Sequence, residues 1–304
     1  MTDQPRAVES SPDAIIVDRG YRKYEGLRTG PRGTMLAIVK DGFRRVTGLR
    51  RKARRKVLPW FLIILALTTM VILVGIHWAT SNTPADLANL PKNGEYFDII
   101  SVIALLFSAL AIPELLVPDR SQGTLNVYFS RPLTVDRYLA AKALAIVTVL
   151  MTFYLVPQFL FHLGLAAVSN EGFLSYLGGN LDVLWKVPTV ALVYVAVHGA
   201  VASTIAAFLP RVGAAAGVFL GSMLIFNLIA AFFQGATDFP GARYASLFAF
   251  EQHPRVVRDW IFGIDTVDYL PTRAGFEPGV SLAMAALLVL IAAIAVRWQY
   301  RRSV

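Results

Sequence analysis

The chain has 304 residues, 56% of them hydrophobic, no cysteine, and a formal charge of +9 from 29 basic and 20 acidic side chains. Without a thiol, disulfide staples, cysteine metal sites and thiol catalysis are excluded. A charge of this size suggests nucleic acid in a soluble protein, but six long apolar runs assign it instead to membrane topology and an anionic leaflet, so no nucleic-acid partner is expected.

Residues 1–32 carry Pro, Ser, Asp and Gly without helical periodicity and read as a largely disordered tail. Within it the stretch 21–28 interleaves aromatic and basic groups, which fits either a solvated tail or a docking segment. Residues 33–56 are different. Met35, Leu36, Ile38, Val39, Phe43, Val46 and Leu49 share one helical arc, with Lys40, Asp41, Arg44, Arg45 and Arg51 opposite, the pattern of an amphipathic helix lying in the membrane interface. Arg50, Arg51, Lys52, Arg54, Arg55 and Lys56 then precede the first apolar run. No cleavable signal sequence is expected before that run, because the residues ahead of it are polar and basic and the run itself is of full span length.

The six-span unit is expected over 57–304, with runs at about 57–79, 98–117, 143–168, 184–209, 213–234 and 280–296. Each is near the ~20 residues needed to cross a ~30 Å hydrocarbon core. An even number puts both termini on one face, and 23 of the 29 basic residues fall on that face, which comes to +14 against −5 for the other. The bias of basic residues toward the inner side places both ends in the cytoplasm of a multi-pass protein of the cell membrane. The expected fold class is all-α: a polytopic membrane protein of six transmembrane helices, an N-terminal interfacial helix, and a partly helical external segment between helices five and six. Pro210, Arg211 and Val212 leave a tight hairpin between the fourth and fifth spans. The segment between the fifth and sixth, with Tyr244, Phe248, Phe250, Trp260 and Phe262, is too apolar for a free linker, while His253, Pro254 and Arg258 interrupt it too often for a span.

The link between the second and third spans carries the clearest local pattern. Asp119 or Ser121 is expected to cap a short helix through Phe129, with Pro132 stopping it, and Thr134 with Asp136 to open the third span. In this link Asp119-Arg120, Gly123-Thr124-Leu125, Ser130-Arg131-Pro132 and finally Lys142 follow one another. This order resembles the ABC-2 type permeases, the membrane subunits of ATP-driven exporters, whose link reads acidic-basic, Gly-Thr-Leu, Pro, then Lys where the third span begins. The layout of residues 33–304 is similar as well. The family usually has Glu where this chain has Asp119, which keeps the charge but shortens its reach.

The resemblance implies export of an amphipathic or lipid-linked compound, a second copy of the chain or a similar permease, and an ABC ATPase subunit that binds ATP. It implies ATPase coupling through Asp119, Arg120, Gly123, Thr124, Leu125, Arg131 and Pro132. The chain itself is not expected to be an enzyme or to hold a cofactor: it has no Gly-x-x-x-x-Gly-Lys-Ser/Thr loop, and its polar segments are too short for a nucleotide-binding domain. The four histidines are isolated and argue for no metal. His198, near mid-span, reads equally as an interhelical hydrogen bond or a place on a translocation path, and Asn227 is the second candidate for that path. Gln158 and His162 read as packing contacts, and Glu114 as a partner of Arg120 or Arg211. A non-transporting scaffold or sensor subunit is the alternative, and a lipid-modifying membrane enzyme a third reading.

Overall fold

The computed structural model of the chain describes residues 30–49, 56–80, 90–125, 128, 133–235, 241–265 and 269–302. The tail 1–29, the basic residues 50–55, and Arg131 and Pro132 of the link lie outside them. The described residues are helical, with no strand, and six of the helices are long and apolar enough to cross a membrane, as expected of a multi-pass membrane protein. In chain order they are α1 (Pro31–Val46), α2 (Val57–Thr80), α3 (Asn93–Ile99), α4 (Ser101–Ser121), α5 (Val135–Val168), α6 (Phe173–Gly179), α7 (Val183–Phe208), α8 (Val212–Gly235), α9 (Ala242–Ala245), α10 (His253–Phe262), α11 (Leu270–Arg273) and α12 (Pro278–Arg302), with a 3₁₀ turn at Ser246–Phe248.

Three boundaries differ from the apolar runs, each because a charged group finds a partner inside the protein. The second run was expected to begin at Asp98; instead Asp98 belongs to the separate helix α3, the chain breaks at Ile100, and α4 starts at Ser101. At its other end α4 continues through Asp119 and Ser121, so neither opens a new helix there. α5 begins at Val135, eight residues before its apolar run and where Thr134 and Asp136 were read to open it; Lys142 in the added turns is paired inside the bundle, and Asp136 meets Arg297 at the surface. Thr134 is its cap, as read, its Oγ1 accepting from the Arg137 amide at 3.3 Å.

α7 is the central helix, packed against α4, α5, α8, α10 and α12. Between helices in lipid there is no hydrophobic drive, so close fit and aromatic contacts hold the bundle. Phe107 stacks on Phe153 at 4.2 Å, Tyr96 on Phe161 at 4.8 Å and Phe97 on Tyr194 at 5.7 Å. By contrast α2, α8 and α12 leave apolar sides bare, including Val71, Phe232 and Ile294, which is the surface lipid requires.

α1 is not only an amphipathic surface helix. Pro31 opens it, where a missing amide costs nothing, and it crosses α4 and α5 through Gly42. A Cβ there would meet Leu115 at 3.0 Å and Ala145 at 3.1 Å, so glycine permits the close approach. Leu36, from the apolar arc, is exposed. Trp60 of α2 donates to the Thr47 carbonyl at 3.0 Å and ties the two helices.

Candidate functional site

Of the residues singled out in the link, Thr124, Leu125 and Lys142 gather around one buried carboxylate, Asp119. Asp119 lies in the last turn of α4, where the helix dipole disfavours an acid, and it is 2% exposed. Donors from two other helices offset that. Arg45 of α1 donates to Oδ1 at 2.7 Å, while Tyr138 of α5 donates to Oδ2 at 2.8 Å and Lys142 of α5 meets the same oxygen at 2.5 Å. Lys142, also 2% exposed, donates in addition to the Leu115 carbonyl at 2.9 Å. Arg45 shares its other nitrogen with Asp41 at 3.1 Å. Burial would lower the pKa of the Arg45 guanidinium, but Asp119 and Asp41 outweigh it and hold the group above its ordinary value. Burial, then the Asp119 charge, push the Tyr128 phenol up.

The rest of the link is arranged around this centre. Gly123 has φ +68°, the left-handed position that ends α4, and its amide reaches the Arg120 carbonyl at 3.3 Å. Thr124 donates from its hydroxyl to the Asp119 carbonyl at 2.9 Å. Leu125 is buried with Ile38 of α1, Tyr138 of α5, Ala207 of α7 and Tyr300 of α12. Arg120 turns the other way, donating to the carbonyls of Ala206, at 3.3 Å, and Leu209, and so caps the end of α7 beside the three-residue turn into α8. Ser121, Gln122 and Gly123 form the exposed tip. A cavity of about 550 Å³ adjoins the centre, with Arg45, Glu114, Asp119, Thr124 and Tyr128 in its wall. Arg45 was read as part of the polar arc of an interfacial helix; the structure turns its guanidinium onto the buried Asp119.

The other two candidates, His198 and Asn227, sit on different helices and hold the same turn. His198 of α7 is fully buried, and its Nε2 lies 3.0 Å from Glu251 Oε2. Its Nδ1 is 3.2 Å from the Tyr154 hydroxyl and 3.3 Å from that of Ser108. Asn227 of α8 accepts from Gln252 at 3.0 Å, and Gln252 in turn accepts from the Leu270 amide at 2.6 Å. Just beyond, His253 bridges Ser281 of α12 at 3.0 Å and the Leu247 carbonyl at 2.9 Å, and burial pushes its pKa down. The segment between α8 and α12 is therefore pinned into the bundle at three successive residues.

A charge network extends from that turn. Arg255 lies 3.6 Å from Glu251 and 3.3 Å from Asp98 of α3, and donates to Ser101 of α4 at 3.0 Å. Arg258 lies 3.4 Å from Asp98 and 2.5 Å from Asp259, and donates to the Tyr269 hydroxyl at 3.0 Å. Burial opposes the Arg258 charge, yet Tyr194, Asp259 and Tyr269 around it raise its pKa above the ordinary value. Sequence reading missed this network because Arg258 was taken only as an interruption of the external segment and Arg255 and Asp259 were not singled out. Their spacing of three and four residues, which places them on one side of a helix, was the available signal. Gln158 and His162 both bind Asn93 at the start of α3, at 2.5 and 3.1 Å.

No family model matches the chain, and no curated protein matches it either.

Proposed function

We propose that the chain is the permease subunit of an ABC-2 type exporter, set in the cytoplasmic membrane with both termini inside, and moving an amphipathic or lipid-linked compound outward. One observation carries this reading: the acid, threonine, leucine and lysine of the family-like link gather at a single buried centre that joins it to α1, α5 and α12, while its arginine ties the same turn to the end of α7. A tip tied rigidly to so many helices turns a push from outside the membrane into a movement of the bundle, the requirement for a two-state transporter driven by a separate ATPase.

In this reading α1 lies along the inner interface, its exposed Leu36 toward lipid, and the segment with α9, α10 and α11 caps the external side. The ABC ATPase subunit, which binds the ATP, meets the exposed tip at Ser121, Gln122 and Gly123. An apolar groove of about 510 Å³ between α5, α7 and α12, with Asp136 and Arg297 at its mouth, suits a molecule with a polar head and an apolar chain. Gly213, Gly217 and Gly221 form a stripe on α8 above which a Cβ would meet nothing within 4 Å, a surface suited to close packing with a second permease subunit.

Purification of the intact chain from mild detergent tests the proposal. An ATPase carrying a phosphate-binding loop should accompany it, and Gln122→Trp, at the exposed tip, should lose that companion while keeping thermal stability. Absence of any such ATPase would favour the non-transporting scaffold, and its retention by the tip variant would overturn the tip as the docking point.

A further inference from the structure

Small residues hollow out the groove between α5, α7 and α12: Ala143, Ala196, Gly199, Ala200, Ala292 and Ala293 form its wall and leave about 510 Å³ between the three helices. Ala143, Leu192 and Ala293 of that wall are exposed, so the groove is open on the outside of the bundle. An unfilled groove forfeits the dispersion contacts of every atom that lines it.

Its length corresponds to one leaflet of a bilayer. The lining runs along α5 from Asp136 to Val147 and along α7 from Leu192 to Ser203, about 16 Å on each at a rise of about 1.5 Å per residue. Half of a ~30 Å hydrocarbon core is ~15 Å. The level of the open end is marked by Trp298, half-exposed, with the Arg302 guanidinium 4.3 Å above its ring and Phe208 of α7 at 6.3 Å. A tryptophan beside arginines is the usual anchor of a helix at the level of the lipid head groups.

The charge at that end selects what enters. Asp136 meets Arg297 at 2.8 Å and Arg301 at 3.2 Å, all three half-exposed, so two guanidiniums share one carboxylate. One positive charge is in excess there, and a guanidinium has donors to spare for a phosphate. Lys142 also borders the groove, but it is 2% exposed and committed to Asp119 and the Leu115 carbonyl. Apart from it and Ser203, the wall below the mouth is apolar. A second copy of the chain could cover the apolar wall but supplies no counter-charge for the mouth.

We propose that the groove binds one phospholipid of net negative head charge, with an acyl chain between α5, α7 and α12 and the phosphate on Arg297 and Arg301. The chain is held by buried area, which treats phospholipids alike; the mouth discriminates, because a zwitterionic head brings an ammonium that the excess guanidinium opposes. This narrows the amphipathic occupant of the groove to one head-group charge. Placing this end at the inner leaflet rests on the exporter reading. Binding does not, and its test uses no ATPase, so either can fail while the other stands.

The test is intact-protein mass spectrometry of the full-length chain in mild detergent, with phosphatidylglycerol or phosphatidylcholine of the same acyl chains. One phosphatidylglycerol should be retained at about fivefold lower concentration than phosphatidylcholine, the preference expected of one basic group at the interface. R301Q removes the excess charge and should make the two lipids equal; D136N enlarges it and should widen the preference. A293W fills the groove from an exposed position and should abolish retention of both lipids, whereas I294W, exposed on the same helix but outside the groove, should leave it unchanged. Excess inorganic phosphate should not displace the lipid.

Equal retention of the two lipids by the unaltered chain overturns the proposal, and that comparison needs no variant to fold. A preference that falls in D136N as it does in R301Q would make the arginines merely structural and overturns it too. So does equal loss in A293W and I294W, which would mean a lipid held nowhere in particular. Displacement by phosphate, or a dimer that A293W dissociates with lipid retention unchanged, assigns the mouth or the groove to another occupant and has the same consequence.

Discussion

The two buried charge centres of this bundle are assembled from different chemistry. The one around Asp119 joins a carboxylate to an ammonium, a guanidinium and a phenol, groups whose ordinary pKa values all lie outside the range from 5 to 8. The one around Glu251 pairs a carboxylate with a histidine ring, His198, and has a second buried histidine, His253, beside it. Both pin a connecting segment to the helices. The first is a weld of ionic contacts, suited to transmitting force, and the second a joint held largely by the hydrogen bonds of two histidines.

The largest effect should come from breaking the weld. Asp119→Ala leaves Arg45, Lys142 and Tyr138 around a missing carboxylate and is expected to cost about 3–5 kcal/mol, the usual consequence of stranding one partner of a buried pair. Thermal loss of the folded chain in mild detergent measures it, and D119A/K142M should be less damaging than D119A alone, since the stranded ammonium is then gone. Equal damage would mean that Lys142 and Asp119 are not coupled.

A smaller effect is expected where the backbone rather than the charge is special. Gly123→Ala places a Cβ at φ +68° and should cost about 1–2 kcal/mol in the same measurement. Gly123→Asn should recover part of the loss, because asparagine tolerates that region better. An unchanged G123A protein would show that α4 does not need its left-handed stop.

The contrast in pH response is testable at His253. Burial holds its pKa below the ordinary value, so the unfolded chain takes up a proton first as pH falls below about 6.5, and the folded state loses that part of its stability down to the folded pKa. Unfolding temperatures taken from pH 7 to 5.5 should fall less steeply in His253→Gln than in the unaltered chain, while G123A keeps the original slope. An identical slope in His253→Gln would remove His253 from the joint. The least effect is expected from Asp136→Asn, because that exposed carboxylate meets Arg297 at 2.8 Å and Arg301 at 3.2 Å in water; any loss should vanish in high salt.

Much of the bundle was legible from local chemistry. The fourth, fifth and sixth helices start within two residues of their apolar runs, and the tight turn before Val212 and the Thr134 cap stand where they were read. The motif residues Asp119, Arg120, Thr124, Leu125 and Lys142 were named from their order in the link; Thr124, Leu125 and Lys142 gather around Asp119, while Arg120 turns to the end of α7. What escaped were partnerships. Arg45 was assigned to a polar arc because a helical wheel does not know which neighbour will supply a carboxylate. Asp98 was read as the start of the second span and Arg258 as an interruption of the external segment, and the end of α3 was absorbed into the run that follows it.

The number, length and approximate limits of the six apolar helices were set by the sequence alone, because the cost of placing a side chain in hydrocarbon belongs to each residue and sums along a segment. Which charged groups are buried, and where the second spanning helix begins and ends, was decided by the tertiary structure. A charge is tolerated inside only when its counter-charge arrives from elsewhere, and Arg45 is 74 residues from Asp119 as His198 is 53 from Glu251. That meeting is a property of packing, which no single segment contains.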